Sequence, residues 1–242
     1  SIHPLTDTGN MITWAVFVLG LCFGSFFNVL IDRLPKGKTL WGRSMCDHCK
    51  KTLRWYELIP VVSWIIQGAR CRRCHKPLSL QYPLVELGTG IGFVFLYPQF
   101  VSPIIFSALL VIFVADLKYQ IIPDSMLVVA AIGAGFAGLL GNAVAGLGAG
   151  IFFLLLWYIT QGRGMGFGDV KLAFVLGLLL GFPGIIVALY AAFLPGAIVG
   201  VILILRGKAQ LKSKIPFGPF LIVGSLIAHF YETSIITWFY SP

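Results

Sequence analysis

Residues 125–162 read SMLVVAAIGAGFAGLLGNAVAGLGAGIFFLLLWYITQG, 38 positions without a charge. A single helix of that length would measure about 57 Å, nearly twice the ~30 Å hydrocarbon core of a bilayer. Gly141-Asn142 supplies a turn near the middle. The stretch therefore reads as two membrane-crossing helices, back to back.

The same reading extends outward. Residues 172–205 are uncharged and carry a second turn signal, Gly181-Phe182-Pro183-Gly184. Residues 87–115 are uncharged, with a break expected from Tyr97-Pro98 to Pro103, and the apolar stretch begins near Leu78 with Glu86 inside it. Residues 11–31 form a first span, and 215–231 begin a last one that continues past Glu232 to Trp238. At about 17–25 residues per crossing, this gives about eight transmembrane helices in an all-α polytopic membrane protein. Composition agrees. The 242 residues are 58% apolar and 11% charged, against roughly 25% charged in a soluble domain, and mean hydropathy is +0.91.

Charge placement orients the chain. With eight spans and the N-terminus outside, the cytosolic segments are 32–80, 116–124, 162–171 and 206–214, and all 18 Lys and Arg fall within them. Fusing any helix pair would put basic residues on both faces, against the positive-inside rule. The net charge of +9 is thus a membrane-facing charge, and nucleic-acid binding is not expected. Residues 1–10 form a polar extracytoplasmic tail with no function assigned. The first span, 11–31, lacks the basic start and small-residue end of a cleaved signal. An insert, 32–80, precedes a seven-helix membrane domain, 81–242.

The insert carries Cys46-Asp47-His48-Cys49 and Cys71-Arg72-Arg73-Cys74. Each C-x-x-C turn presents two sulfurs, and two such knuckles suit a tetrahedral thiolate zinc site. A segment this short has too small a core to fold unaided, and its expected cytosolic location disfavours disulfides. His48 and His75 adjoin the cysteines but are read as surface residues, because four thiolates complete the shell. Cys22, in mid-helix, is read as a small apolar packer. The apolar stretch from Trp55 to Ile66 is either a membrane-surface segment or the core of the zinc fold; the sequence leaves both open.

Ionisable residues at membrane depth cost about 3 kcal/mol each and mark function. Asp116 ends the third span and Asp169 opens the sixth, so both lie at the cytosolic edge. Two carboxyls sharing one proton are the requirement of aspartyl peptide hydrolysis: the ionised one activates water and the protonated one polarises the carbonyl. Helix-end dipoles assign the base to Asp169, at a helix N-terminus, and the proton to Asp116, at a C-terminus. The glycines before Asp169, Gly166 and Gly168 in particular, would let a substrate backbone approach. The spacing is not G-x-G-x-x-G, so a nucleotide loop is a poor reading. Asp124, after Pro123, rivals Asp116 but is read as a helix cap. Glu86 either pairs with a basic residue of the insert or lines a cofactor pocket.

These motifs together resemble the bacterial type IV prepilin peptidases, also called leader peptidase/N-methyltransferases. The likeness rests on Gly24-Ser25-Phe26-Phe27-Asn28 through Pro35, the two C-x-x-C pairs, Tyr56-Glu57-Leu58-Ile59-Pro60, Tyr82-Pro83-Leu84-Val85-Glu86, Asp116 heading a D-x6-P-D pattern, and Gly166-Phe167-Gly168-Asp169. Lys118 stands where many members carry an acid, and Cys-Asp-His-Cys replaces the commoner Cys-Pro-x-Cys. The resemblance implies Asp116 and Asp169 as catalytic residues and prepilin or pseudopilin precursors as partners. It implies cleavage after a glycine at the cytosolic face of the bacterial inner membrane, then S-adenosylmethionine-dependent methylation of the new N-terminus. The methyl-donor residues are not assigned. Two other readings compete: a presenilin-type intramembrane protease, which would cut within a substrate helix, and a proton-coupled transporter or zinc-bearing scaffold, which would show no cleavage.

Overall fold

The computed structural model describes residues 5–97, 101–162, 164–206 and 216–240. Helices dominate the described residues outside the insert, which is mostly turns and irregular chain with two isolated β-bridges, Met45 to Thr52 and Arg70 to Pro77. The chain divides into two compact units, 1–111 and 112–242.

The first unit contains α1 (Leu5–Arg33), the short α2 (Val62–Ile66) inside the insert, α3 (Gln81–Leu96), and the start of α4 (Val101–Tyr119). The helix already begins at Leu5, so residues 5–10 of the expected polar tail are helical. Helices α1 and α3 pack through small residues. A Cβ on Gly20 would lie 2.7 Å from Gly90 Cα, and one on Gly24 would lie 2.6 Å from Glu86 Cα. Lipid tails are as apolar as leucine, so close backbone approach of this kind replaces the hydrophobic drive for helix pairing. Polar ties reinforce it: Asn28 Nδ2 donates to Tyr82 O at 3.1 Å, and Gln81 Nε2 to Asn28 Oδ1 at 3.2 Å. Cys22 does not pack as expected; it faces outward and is exposed, because the glycines on the same helix take the contact face. The break before α4 is shorter than expected. Pro103 falls in the first turn of that helix, where a missing N–H leaves no bond unmade, and residues 98–100 lie outside the described residues.

The second unit holds the end of α4, then α5 (Asp124–Phe136), α6 (Ala143–Ile159), α7 (Phe167–Leu180), α8 (Gly184–Leu205) and α9 (Gly218–Tyr240). The 125–162 stretch is two helices, α5 and α6, joined by a 3-10 turn at Leu139–Asn142. The turn at Gly181 also stands, with φ of +68° at a residue where only glycine is relaxed. Asn142 Nδ2 donates to Leu178 O across that end at 3.1 Å. Helices α6 and α7 meet at Gly146 and Gly177, where a Cβ on Gly177 would lie 2.6 Å from Gly146 Cα. Gly224 of α9 sits against Ala188 and Ala192 of α8 in the same manner.

Four helices among the described residues are long and apolar enough to cross a membrane: Asn10–Lys36, Ser102–Tyr119, Leu139–Ile159 and Gly184–Ile202. Large apolar side chains such as Phe136, Val144 and Leu194 stand exposed along the helices, as a lipid-facing surface requires. The protein is thus an all-α multi-pass membrane protein with a cysteine-rich insert between α1 and α3.

Candidate active site and metal centre

Helix α4 ends just past Asp116. Gln120 turns to a left-handed φ of +53° and its N–H closes on Asp116 O at 2.9 Å, a C-terminal cap that leaves the Asp116 side chain in the last turn. The carboxyl is buried, 4% exposed, and its Oδ2 accepts the N–H of Gly218 at 3.1 Å. Gly218 is the first residue of α9. A Cβ there would stand 2.7 Å from Asp116 Oδ2.

Asp169 is the third residue of α7 rather than its cap. Its Oδ2 accepts the Gly166 N–H at 3.0 Å, while its own N–H donates to Gly166 O at 3.1 Å. It is 6% exposed, and Asp116 lies near enough to act on it electrostatically. Ile122 packs against both helix starts. A Cβ on Gly168 would lie 3.0 Å from Ile122 Cβ, and one on Gly218 3.4 Å from Ile122 Cδ1. Two helix starts, α7 and α9, therefore converge on the two acids.

Sequence reasoning placed Asp116 at a helix C-terminus and missed Gly218. The available signal was Phe217-Gly218-Pro219 at the foot of the last span. Its consequence is electrostatic. Asp116 faces the N-terminus of α9, so each acid receives one backbone N–H, and the dipole argument from each acid's own helix loses half its force. The segment is fixed by aromatic packing of Phe217 on Phe193, with centroids 4.9 Å apart.

Asp124 does not cap α5 through its side chain. It is exposed and forms an ion pair with Lys171, whose Nζ lies 2.8 Å from each carboxylate oxygen. Lys171 is close enough to compete with the backbone for that side chain and carries charge.

In the insert, each knuckle repeats one pattern. Cys46 N donates to Lys51 O and Lys50 N to Cys46 O; 25 positions on, Cys71 N donates to Lys76 O and His75 N to Cys71 O, all at 2.9–3.0 Å. Lys50 and His75 both take left-handed φ. The two turns bring the sulfurs of Cys46, Cys49, Cys71 and Cys74 within 4.8 Å of one another, with Cys46 and Cys74 Sγ 3.9 Å apart. A tetrahedron of ~2.3 Å zinc–sulfur bonds has edges of about 3.8 Å, so the set can hold a metal ion. All four thiols are free, and His48 and His75 are exposed. The N–H groups of Cys74 and Arg73 push the Cys71 thiol down to about 6, whereas burial pushes Cys46 up to about 11.

The Trp55–Ile66 stretch forms a 3-10 turn and α2; Trp55, Val62, Ile65 and Ile66 are exposed and no residue of the two elements is fully buried. It is not the core of a zinc fold. Glu86 is buried and lines a cavity of about 760 Å³ in the first unit, and its Oε2 accepts the N–H of Val61 at 2.7 Å. Val61 has φ of +60°, a strained value for a β-branched residue. One carboxylate oxygen thus latches the insert to α3. Arg33 adds a second latch, its guanidinium donating to the carbonyls of Thr39, Leu40, Trp41, Gly42 and Arg43 at 2.8–3.3 Å.

A membrane helix bundle defines the class as an integral membrane protein, and two buried aspartates close enough to interact electrostatically mark its candidate site. The family follows from comparison. Residues 18–100 match the model of the bacterial peptidase A24 N-terminal domain, and residues 103–201 match that of the type IV leader peptidase family. A prepilin leader peptidase/N-methyltransferase of Bacillus subtilis (strain 168) is 32% identical over 93% of this chain and 96% of its own length. Proteins of the same description from Burkholderia pseudomallei (strain K96243) and Aeromonas hydrophila are 34% and 32% identical, over 93% of this chain and 87% and 92% of theirs. No solved structure matches the chain. The protein belongs to the type IV leader peptidase family and is a membrane peptidase.

Proposed function

We propose that this protein removes the leader peptide from type IV prepilins and pseudopilins, cutting after glycine, with Asp116 and Asp169 as the catalytic pair. The observation that carries the reading is the burial of both acids in one unit, each holding a backbone N–H from a different helix start. Those N–H groups fix one oxygen of each carboxyl and leave the other for chemistry. One aspartate, ionised, takes a proton from water as its oxygen attacks the scissile carbonyl. The other, protonated, donates to the developing oxyanion. The proton taken then passes to the leaving amine as the C–N bond breaks. Gly166 and Gly168 keep side chains away from the approach of the substrate backbone.

The eight helices α1 and α3–α9 make eight spans, the shorter ones completed by their turns. The tail 1–10 lies outside, 11–31 spans, the insert 32–80 is cytosolic, and 81–242 form the seven-helix membrane domain of an inner-membrane protein. The precursor's apolar helix lies in the bilayer and presents its leader junction to the aspartates at the cytosolic edge. The four cysteines hold a structural zinc ion that fixes the knuckles against each other. Methylation of the new N-terminus uses S-adenosylmethionine, which supplies an electrophilic methyl group.

Cleavage of a purified prepilin in detergent tests the assignment. Wild type releases the leader, and Asp116→Asn and Asp169→Asn each lose at least 1,000-fold in rate, on the order expected when a group acting as a unit is broken. Full activity in either variant overturns the pair. A cut within the apolar helix rather than after glycine would favour the presenilin-type reading.

A further inference from the structure

The peptidase reaction leaves the stretch from Trp55 to Ile66 without a role. Trp55, Leu58, Ile59, Val62, Ile65 and Ile66 all stand exposed, Trp55 at 79%, Ile65 at 63% and Ile66 at 68%. They recur at three- and four-residue intervals, the period of an amphipathic helix face. In the structure they fall on or beside the 3-10 turn Trp55–Leu58 and α2, with a break at Pro60 and Val61. So much apolar surface on so short a segment marks an interaction surface rather than a water-facing loop.

Two observations say what covers it. The first is depth. The insert is fixed at both ends, by α1 before it and α3 after it, and α1 is long and apolar enough to cross a membrane. In its middle, Val61 donates its N–H to Glu86 Oε2 at 2.7 Å. Glu86 lies five residues past the α3 start at Gln81, about 7–8 Å along the axis at ~1.5 Å per residue. Its Cα is level with Gly24, inside the uncharged run 11–31 of α1. A helical side chain leans toward the helix N-terminus, so Val61 sits beside the first two turns of α3, where a spanning helix leaves the acyl chains. Leu80, at the α3 N-cap, and Leu84, one turn on, are exposed there too. The second observation is charge. Arg54 and Arg72 both stand over the Tyr56 ring, next to Trp55, at 5.9 and 5.4 Å from its centroid, and both are exposed. The insert as a whole carries 11 Lys or Arg against 3 Asp or Glu. An apolar and aromatic face bordered by arginine is the composition of a segment lying in an anionic bilayer interface.

We infer that residues 55–66 are an interfacial anchor: Trp55, Val62, Ile65 and Ile66 insert among the lipids of the leaflet facing the insert, and Arg54 and Arg72 bind anionic headgroups. The inference rests on α1 and α3 spanning the bilayer as proposed above. The apolar side chains leave water for the acyl boundary. Trp55 takes the position that amphipathic aromatic rings favour at a membrane interface, and the guanidiniums donate to phosphate oxygens. The bond from Val61 to Glu86 sets the depth of the anchor by tying its backbone to α3. The anchor in turn holds the second cysteine knuckle, which begins at Cys71 five residues on, at the membrane surface.

The test is fluorine NMR of the full-length protein labelled with fluorotryptophan, in nanodiscs of equal parts phosphatidylglycerol and phosphatidylcholine. Trp55→Phe identifies the Trp55 line by its loss, and Trp55→Tyr does so if the first variant does not fold. A lipid carrying a nitroxide near its headgroup should broaden that line at least threefold more than a water-soluble gadolinium chelate does. Discs of phosphatidylcholine alone should at least halve the lipid broadening. The double variant Ile65→Asp with Ile66→Asp, which changes two exposed side chains, should also at least halve it at an unchanged thermal midpoint. Broadening by the chelate alone puts the segment in water and overturns the inference. Shielding from both agents means that protein covers it, a second copy or the precursor, and overturns it too. Equal lipid broadening in the neutral discs, or in the double variant, overturns the anchor by removing its headgroup or its apolar contact. The line of Trp14, exposed on α1 and assigned in the same way, reports separately whether that helix lies in lipid. Lipid broadening at Trp14 without it at Trp55, in a preparation that cleaves prepilin, overturns the anchor and leaves the spans and the peptidase standing.

Discussion

Gly218 donates its backbone N–H to Asp116 Oδ2 at 3.1 Å, across 102 residues of sequence. The contact is possible only without a side chain, since a Cβ would stand 2.7 Å from that oxygen. Gly218→Ala must displace Asp116, the α9 start or both. A shift of about 1 Å in a catalytic group can cost about 100-fold. The expected outcome is a 10- to 100-fold loss in kcat for prepilin cleavage with KM within about twofold, measured by steady-state kinetics in detergent. Equal kcat would show that the N–H bond does not position the acid.

Asp124 gives the contrasting case. Its ion pair with Lys171 is largely exposed, at 41% and 69% side-chain exposure, and exposed pairs contribute about 0–1 kcal/mol. Asp124→Asn should retain at least half of wild-type cleavage, while Asp116→Asn does not. Comparing the two in one assay separates the acid the fold buries from the acid it leaves at the surface.

The four-cysteine cluster predicts a pH-dependent affinity for a metal ion. Cys71 is held down to about 6 and Cys46 pushed up to about 11, so at pH 7 the first is ionised and the second is not. Zinc binding must displace the Cys46 proton, and affinity rises with pH through neutrality. For Cys71 the folded value lies below the unfolded ~8.5. Its contribution is therefore complete above ~8.5 and is lost as pH falls through about 6. Competition with a chromophoric chelator should show affinity falling with decreasing pH, more steeply below about 6. Cys71→Ser should bind less than a tenth of the wild-type zinc at equal free metal.

Helix pairing in the second unit is tested at a distance from the aspartates. A Cβ on Gly177 would lie 2.6 Å from Gly146 Cα and 2.8 Å from Ala145 O, where backbone cannot yield cheaply. Gly177→Ala should destabilise by about 1–3 kcal/mol, the usual range for overpacking, read as a lowered thermal midpoint in detergent. Gly148→Ala, on the same pair but with nothing within 4 Å of the added carbon, should leave the midpoint within a degree or two.

The sequence by itself determined the membrane class, the helix breaks at Gly141-Asn142 and Gly181–Gly184, the paired C-x-x-C turns and the two aspartates. Each is carried by local chemistry: uncharged length, turn residues, ligand spacing, or an acid where acids are costly. Other features depended on contacts between distant segments, and no local signal reports them. Cys22 looked like a packing residue, yet Gly20 and Gly24 hold the contact face and leave it outward. Asp124 looked like a cap until Lys171, 47 positions on, took its carboxylate. Asp116 looked like an acid at a helix C-terminus, and only the tertiary fold set the start of α9 against it. An electrostatic environment is a sum over neighbours in space, and for a buried acid most of those neighbours are remote in the chain.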